Sequence, residues 1–386
     1  QLALDAFRRA IDLDPDTTGA PYAEPMSHLA VLALGTGDTA GATRLLSRLL
    51  ASDSTGDYAA GERLNLALLS GDTAKVAQLR DRFPQMKWED LAAIIFEGQQ
   101  REAGIPLAQP ALDAMRRMEE APVGVVVMLA HSLALNRGRP HEARSGGESE
   151  EFHPRGILRV RISDAIYWGG DTSIAATAAE SLARLVGAPP PPATDQKLHA
   201  YYYDVCMLEQ WRLAHDDLRT APASISRLRT AAKIHDIAFP EEHERCADLL
   251  DAWFAVAARR PDALQRLLRV DSLQVQEPSV GIVSSAITAS NLIMARLWRM
   301  QEDWPRAEAA ARRRYTGLNP AFLSTHLLEE GRAAAQAGHR EVAIRALRHY
   351  LALRYDPEPS VRPEVEEVRR ELAQLLEEPS PLGQRQ

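Results

Sequence analysis

The densest run of proton-transfer groups in the chain is Glu241-Glu242-His243-Glu244, three carboxylates around one imidazole, the composition of a general acid/base cluster. It directly follows Pro240. Pro at a first helical position, followed by acidic residues that favour the positive end of the helix dipole, marks a helix start, and capping is the reading adopted. Asp216-Asp217 has the same explanation in a turn between helices. The 11 histidines are scattered, with no HExxH pair or other metal-ligand spacing. His131 and His215 lie on or beside helical segments and read as packed side chains. No Gly-rich phosphate loop joins a strand to a helix. Cys206 and Cys246 sit on apolar helical faces and read as buried structural thiols rather than metal ligands or nucleophiles. A disulfide between them stays open, because adjacent helices could bring them together. These residues give no expectation of a catalytic site, a metal or a cofactor, and the chain is not expected to be an enzyme.

Composition narrows the class further. Of 386 residues, 45% are hydrophobic and only 6% aromatic, the profile of an Ala- and Leu-rich helical protein. The six tryptophans fall in helical stretches and read as inter-helix core. Net charge is −8 and no basic stripe matches a phosphate backbone, so nucleic acid is not an expected partner. Only four of the 45 cations are lysines (75, 87, 197 and 233), an Arg bias pointing to a GC-rich bacterial source. No signal peptide and no membrane span is expected; the best apolar stretch, Val280–Trp298, carries Arg296 and polar residues and reads as a buried helix. The compartment is left unassigned, bacterial cytoplasmic or extracytoplasmic. The chain begins within a helical repeat, and reads as a fragment or processed product.

The elements behind these residues follow a beat. Gly37, Gly71, Gly104, Gly138 and Gly170 are spaced by 34, 33, 34 and 32 residues, and Gly338 repeats the device. Glycine takes the left-handed conformation that ends a helix, and the Asp or Thr beside it can cap the next one. The turns Ser-Gly-Asp-Thr (70–73) and Gly-Gly-Asp-Thr (169–172) show both parts. A period of this size marks stacked helical hairpins. The second helix of each pair carries its own pattern: Ala3, Phe7 and Ala10 on one stripe with Pro15 closing, then Ala343, Leu347 and Tyr350 before Asp356-Pro357, and more loosely Ala307 and Ala311 before Asn319-Pro320.

On these residues the chain resembles the tetratricopeptide repeat family, whose signature includes A-x3-F and a closing Pro. The resemblance implies an all-α fold, an α-solenoid of about nine to ten antiparallel hairpins in a right-handed superhelix. Residues 1–188 are expected to hold the regular repeats. Residues 189–323 would form larger hairpins, with turns near Asp217, Pro261 and Asp303 and long helices at Leu198–Leu213, His243–Ala258 and Val280–Met300; a separate second domain is the alternative. Residues 324–386 would hold a terminal repeat, a capping helix and a tail. Two breaks interrupt the pattern: 145–156, expected to be a loop or frayed helix, and Pro189–Pro192, a stiff junction. The alternating run 157–163 is expected to be helical.

In that family the first helix of each pair lines a concave groove. Counting back from each turn glycine gives a column of Val31, Asn65, Gly98, Ser132, Asp164 and Arg332. From it Asn65, Ser132, Asp164 and Arg332, with Arg101 and Tyr167 one turn on, are the candidate partner contacts. The C-terminal stretch, Arg348-His349-Tyr350 through Asp356-Pro357-Glu358-Pro359 and the helix 363–375, resembles the terminal repeats of tetratricopeptide regions attached to bacterial serine/threonine kinases and of bacterial transcriptional activator domains. The implied role is a protein-interaction scaffold or sensor within a larger signalling protein, binding a protein or peptide. The alternative is a self-associating structural subunit, because the Ala3/Phe7/Ala10 face lacks a partner helix.

Overall fold

A computed structural model describes residues 26, 29–30, 39–52, 59–70, 72–147, 154–168, 171–192, 197–234, 237, 239–276, 289–314 and 322–377. Among these the protein is all-α, with 18 α-helices and no strand. The chain divides into two compact units, residues 1–137 with 316–323, and residues 138–315 with 324–386. The boundary between the units falls after Arg137, and residues 324–386 belong to the second unit.

In the first unit, α1 (Thr39–Ser52), α2 (Ala59–Ser70), α3 (Thr73–Asp81), α4 (Trp88–Gln99), α5 (Ile105–Met115) and α6 (Val123–Arg137) follow one another. Each packs on its sequence neighbour or the next helix but one, so α2, α4 and α6 touch in a row. Leu64, Leu91, Ile94, Ile95, Leu112 and Met115 form the core. Asp72 caps α3 as its sequence context predicts, accepting from the Lys75 N–H at 3.0 Å. Gly104 departs from expectation. Its φ is −90°, not left-handed. A Cβ there would lie 2.6 Å from the Gly98 carbonyl oxygen. Its place in the beat reflects close contact of two backbones, not a helix stop.

The second unit contains α7 (Pro140–Gly147), α8 (Pro154–Trp168), α9 (Thr172–Gly187), α10 (Lys197–Ala214), α11 (Ala221–Ala231), α12 (Pro240–Ala257), α13 (Ala263–Gln276), α14 (Ser290–Met300), α15 (Trp304–Arg312), α16 (Leu323–Gln336), α17 (Arg340–Leu353) and α18 (Arg362–Glu377). Here α8, α10, α12 and α14 touch in succession, and each packs on the helix that follows it. Residues 157–163 are helical, as their sequence predicts. Asp171 and Asp303 cap α9 and α15. Gly138 and Gly338 do adopt φ of +79° and +78°. The other beat glycines, Gly37, Gly71 and Gly170, lie outside the described residues, as do the Ala3/Phe7/Ala10 stretch, residues 148–153 of the break at 145–156 and the first part of Val280–Met300; 145–147 and 154–156 are helical.

The core of this unit centres on α10. Tyr201, Val205, Met207, Leu228, Ala247 and Leu250 pack together there. Cys206 on α10 and Cys246 on α12 lie within it and form a disulfide, with Cα atoms 6.3 Å apart. The pairing that the sequence left open follows from contact of α10 with α12, which places the two side chains together. Polar residues on the same helix are buried only with partners. Asp204 meets Arg159 at 2.6 Å, and Glu209 accepts from Ser224 Oγ at 2.8 Å.

One feature departs from a nearest-neighbour stack. The carbonyls that end α8 are met from far along the chain: Arg296 donates to Ile166 O at 2.8 Å and Thr325 Oγ1 to Tyr167 O at 3.0 Å, over 130 and 158 residues. The Glu358 N–H donates to Gly138 O at 2.9 Å. The last helices of the unit thus dock onto its first ones.

Candidate functional site

The six candidate partner contacts mostly face inward. On α2, Asn65 is buried and hydrogen-bonds Glu97 of α4; Arg101 supplies a nearby positive charge. Desolvation, reinforced by Glu62, raises the Glu97 carboxyl to about 7 despite those two groups. Two of the six are therefore gathered around a carboxylate that the turn count had not selected. Ser132 is buried in α6. In the second unit Asp164 is buried, and desolvation raises it to about 7 against the pull of Arg144. Tyr167 is buried and donates to Gln210 Oε1 at 2.7 Å. Arg332 is half-buried and pairs with Glu371 of α18 at 2.9 Å. The physical reason is the row packing. The face counted from the turn glycines is the seam between successive first helices, where a side chain meets protein before it meets water.

An open cleft lies elsewhere, in the second unit, where α11, α12 and α13 meet. Its volume is about 420 Å³, within the range of small-ligand sites. From α11 come Arg229 and Thr230, with Lys233 in the turn after it, from α12 Asp251 and Phe254, and from α13 Arg266, with Arg260 on the connecting turn. Arg229 lies in the last turn of α11, and Lys233 follows in the turn just past the helix end. Asp251 is the hub: Arg229 Nη2 donates to its Oδ2 at 3.0 Å, and Arg266 pairs with the same oxygen. Arg229 also meets Asp248 at 3.0 Å. Asp262 receives Arg266 at 2.7 Å and Arg260 at 3.1 Å. Hydrogen bonds from Arg266 hold the Asp262 carboxyl below its usual range. Lys233 is exposed and has no ion-pair partner among the described residues. Three helices and the turn after α11 contribute to the cleft, which is why no local motif in the sequence marks it; the faint signal is a rare lysine close after Arg229.

The acidic run at 241–244 is where its sequence context placed it, in the first turn of α12. Tertiary packing adds a second imidazole. His199 Nδ1 lies 3.4 Å from His243 Nε2, and His199 Nε2 lies 3.9 Å from Glu242. Phe239, left-handed at φ +53°, packs against His199 with ring centroids 5.2 Å apart and the planes tilted by 58°. No group of three potential metal ligands occurs among the described residues, and none of their helices is long and apolar enough to cross a membrane. No family model and no curated protein matches the sequence. The arrangement on the cleft can orient guanidinium donors toward a bound group.

Proposed function

We propose that the chain is a non-enzymatic protein-interaction module, a tetratricopeptide-like α-solenoid serving as scaffold or sensor in a larger bacterial signalling protein. The contact of alternate helices in each unit supports the solenoid part of the reading. The observation that carries the interaction part is the exposed cleft on α11, α12 and α13, in which fixed charges stand beside the apolar Phe254 and Ile225. The Cys206–Cys246 disulfide favours an extracytoplasmic setting, since such bonds persist in oxidising compartments and are rare in reducing cytosol. Peptide display against the intact chain tests the proposal. An enriched motif whose binding is lost in Lys233→Glu supports it; failure of any motif to enrich removes it.

The alternative is a self-associating subunit, and one observation favours it. Leu264 and Leu268 stand one turn apart on α13 and are 50% and 40% exposed, an apolar strip open to a second copy. Light scattering over a wide concentration range decides this point, and a constant monomer mass excludes self-assembly.

A further inference from the structure

We propose that the cleft formed by α11, α12 and α13 binds the phosphate group of a phosphorylated partner segment. The inference deepens the interaction reading and rests on it.

The charge balance comes first. The cleft is lined by four cations, Arg229, Lys233, Arg260 and Arg266, against one carboxylate, Asp251. Asp248 and Asp262 stand behind, pairing with Arg229 and Arg269 and with Arg260 and Arg266. Counting Arg269, five cations face three carboxylates, leaving a surplus of two. A phosphomonoester carries close to two negative charges at neutral pH. A single carboxylate would neutralise only half the surplus.

Geometry supports the same class. The carboxylates behind the lining act as orienting groups. Asp248 and Asp251 hold the Arg229 fork at 3.0 Å each, and Asp262 holds Arg266 from a second side. A guanidinium has five N–H donors in a fixed plane, so one fixed by a carboxylate still has donors for a ligand. Lys233 adds a mobile ammonium from the turn just past the end of α11, without a competing ion pair among the described residues. Ser226 and Thr230 place hydroxyls on the same helix, and Phe254 gives the neighbouring residues of a bound segment an apolar wall.

The test uses the intact chain in fluorescence anisotropy with three probes: a pool of phosphothreonine peptides, the same pool unphosphorylated, and phenyl phosphate as competitor. The paired variant Lys233→Glu/Arg260→Glu alters exposed side chains only, and unchanged circular dichroism and melting temperature will show that it folds. The phosphorylated pool should bind about tenfold tighter or better, as expected for one or two added charge-assisted hydrogen bonds. That advantage should disappear in the variant and shrink with added salt. Equal binding of the two pools, or an advantage that survives in the variant, overturns the inference while leaving a peptide-binding scaffold intact. Variant-sensitive phenyl phosphate binding without pool preference keeps the phosphate site and removes the partner segment.

Discussion

The carboxylate of Glu358 sits on the N-terminus of the helix that begins at Pro140. It accepts from the backbone N–H of His141 at 3.1 Å and of Glu142 at 3.2 Å, across 217 and 216 residues. Beside it Arg139 pairs with Asp356, and the Gly138 turn accepts from the Glu358 N–H. The Asp356-Pro357-Glu358-Pro359 element therefore joins the last part of the second unit to its first.

Removing this contact leaves orphan donors at a helix start. Glu358→Ala is expected to lower stability by about 1 kcal/mol, the usual worth of a capping carboxylate. Gly138→Ala should cost at least as much. Its φ of +79° is unfavourable for alanine, and the added Cβ would lie 2.9 Å from Arg354 Nη1 and 3.3 Å from Pro357. Urea unfolding of both variants measures these costs, and an unchanged midpoint for Gly138→Ala would contradict the packed turn.

The disulfide closes a loop with a sequence separation of 40 between two core helices. Replacing both cysteines by alanine is expected to reduce stability by about 2–4 kcal/mol, mainly by freeing the unfolded chain. Thermal melts with and without reductant check it: wild type should shift on reduction, and the double variant should not.

Glu97 links stability to pH. Its folded carboxyl titrates at about 7, above the ordinary 4.5, because burial and Glu62 oppose charge more than Asn65 and Arg101 favour it. Between those values the fold holds a proton that the unfolded chain has released. The contribution is therefore complete below about pH 4.5, declines as pH rises toward 7, and levels off above it. Glu97→Gln removes this dependence. The melting temperature of the variant relative to wild type should rise from pH 5 to pH 8, and a constant difference would refute the assignment.

The α4–α5 crossing depends on two glycines. A Cβ on Gly104 would approach Gly98 Cα to 2.8 Å, and one on Gly98 would approach Gly104 O to 2.9 Å. Backbone cannot yield as a flexible side chain can. Gly104→Ala is expected to cost about 1–3 kcal/mol through overpacking, whereas Gly187→Ala, with nothing within 4 Å of the new methyl, should be nearly neutral. Denaturant midpoints of the pair compare crowding with simple loss of a glycine.

Much of the local structure was legible in the residues themselves. Asp72 and Asp171 cap the helices they precede, Gly138 and Gly338 turn left-handed, and Pro240 with Glu241 and Glu242 opens α12. Each is settled within a turn of chain, by backbone conformation and side-chain reach. The candidate contacts were not legible in the same way. A column counted from the turns locates one helix face, but burial of Asn65 and Asp164 is set by the helix that packs across that face.

By itself the sequence determined an all-helical chain of paired elements, because periodicity, caps and punctuating glycines are local properties of contiguous residues. The tertiary structure decided the rest. It brought Cys206 to Cys246, laid Glu358 on the start of α7, turned Tyr167 inward and assembled Arg229, Asp251 and Arg266 from three helices into one cleft. These arrangements join residues far apart in the chain. Their geometry follows from how whole helices pack, which no single window of sequence contains.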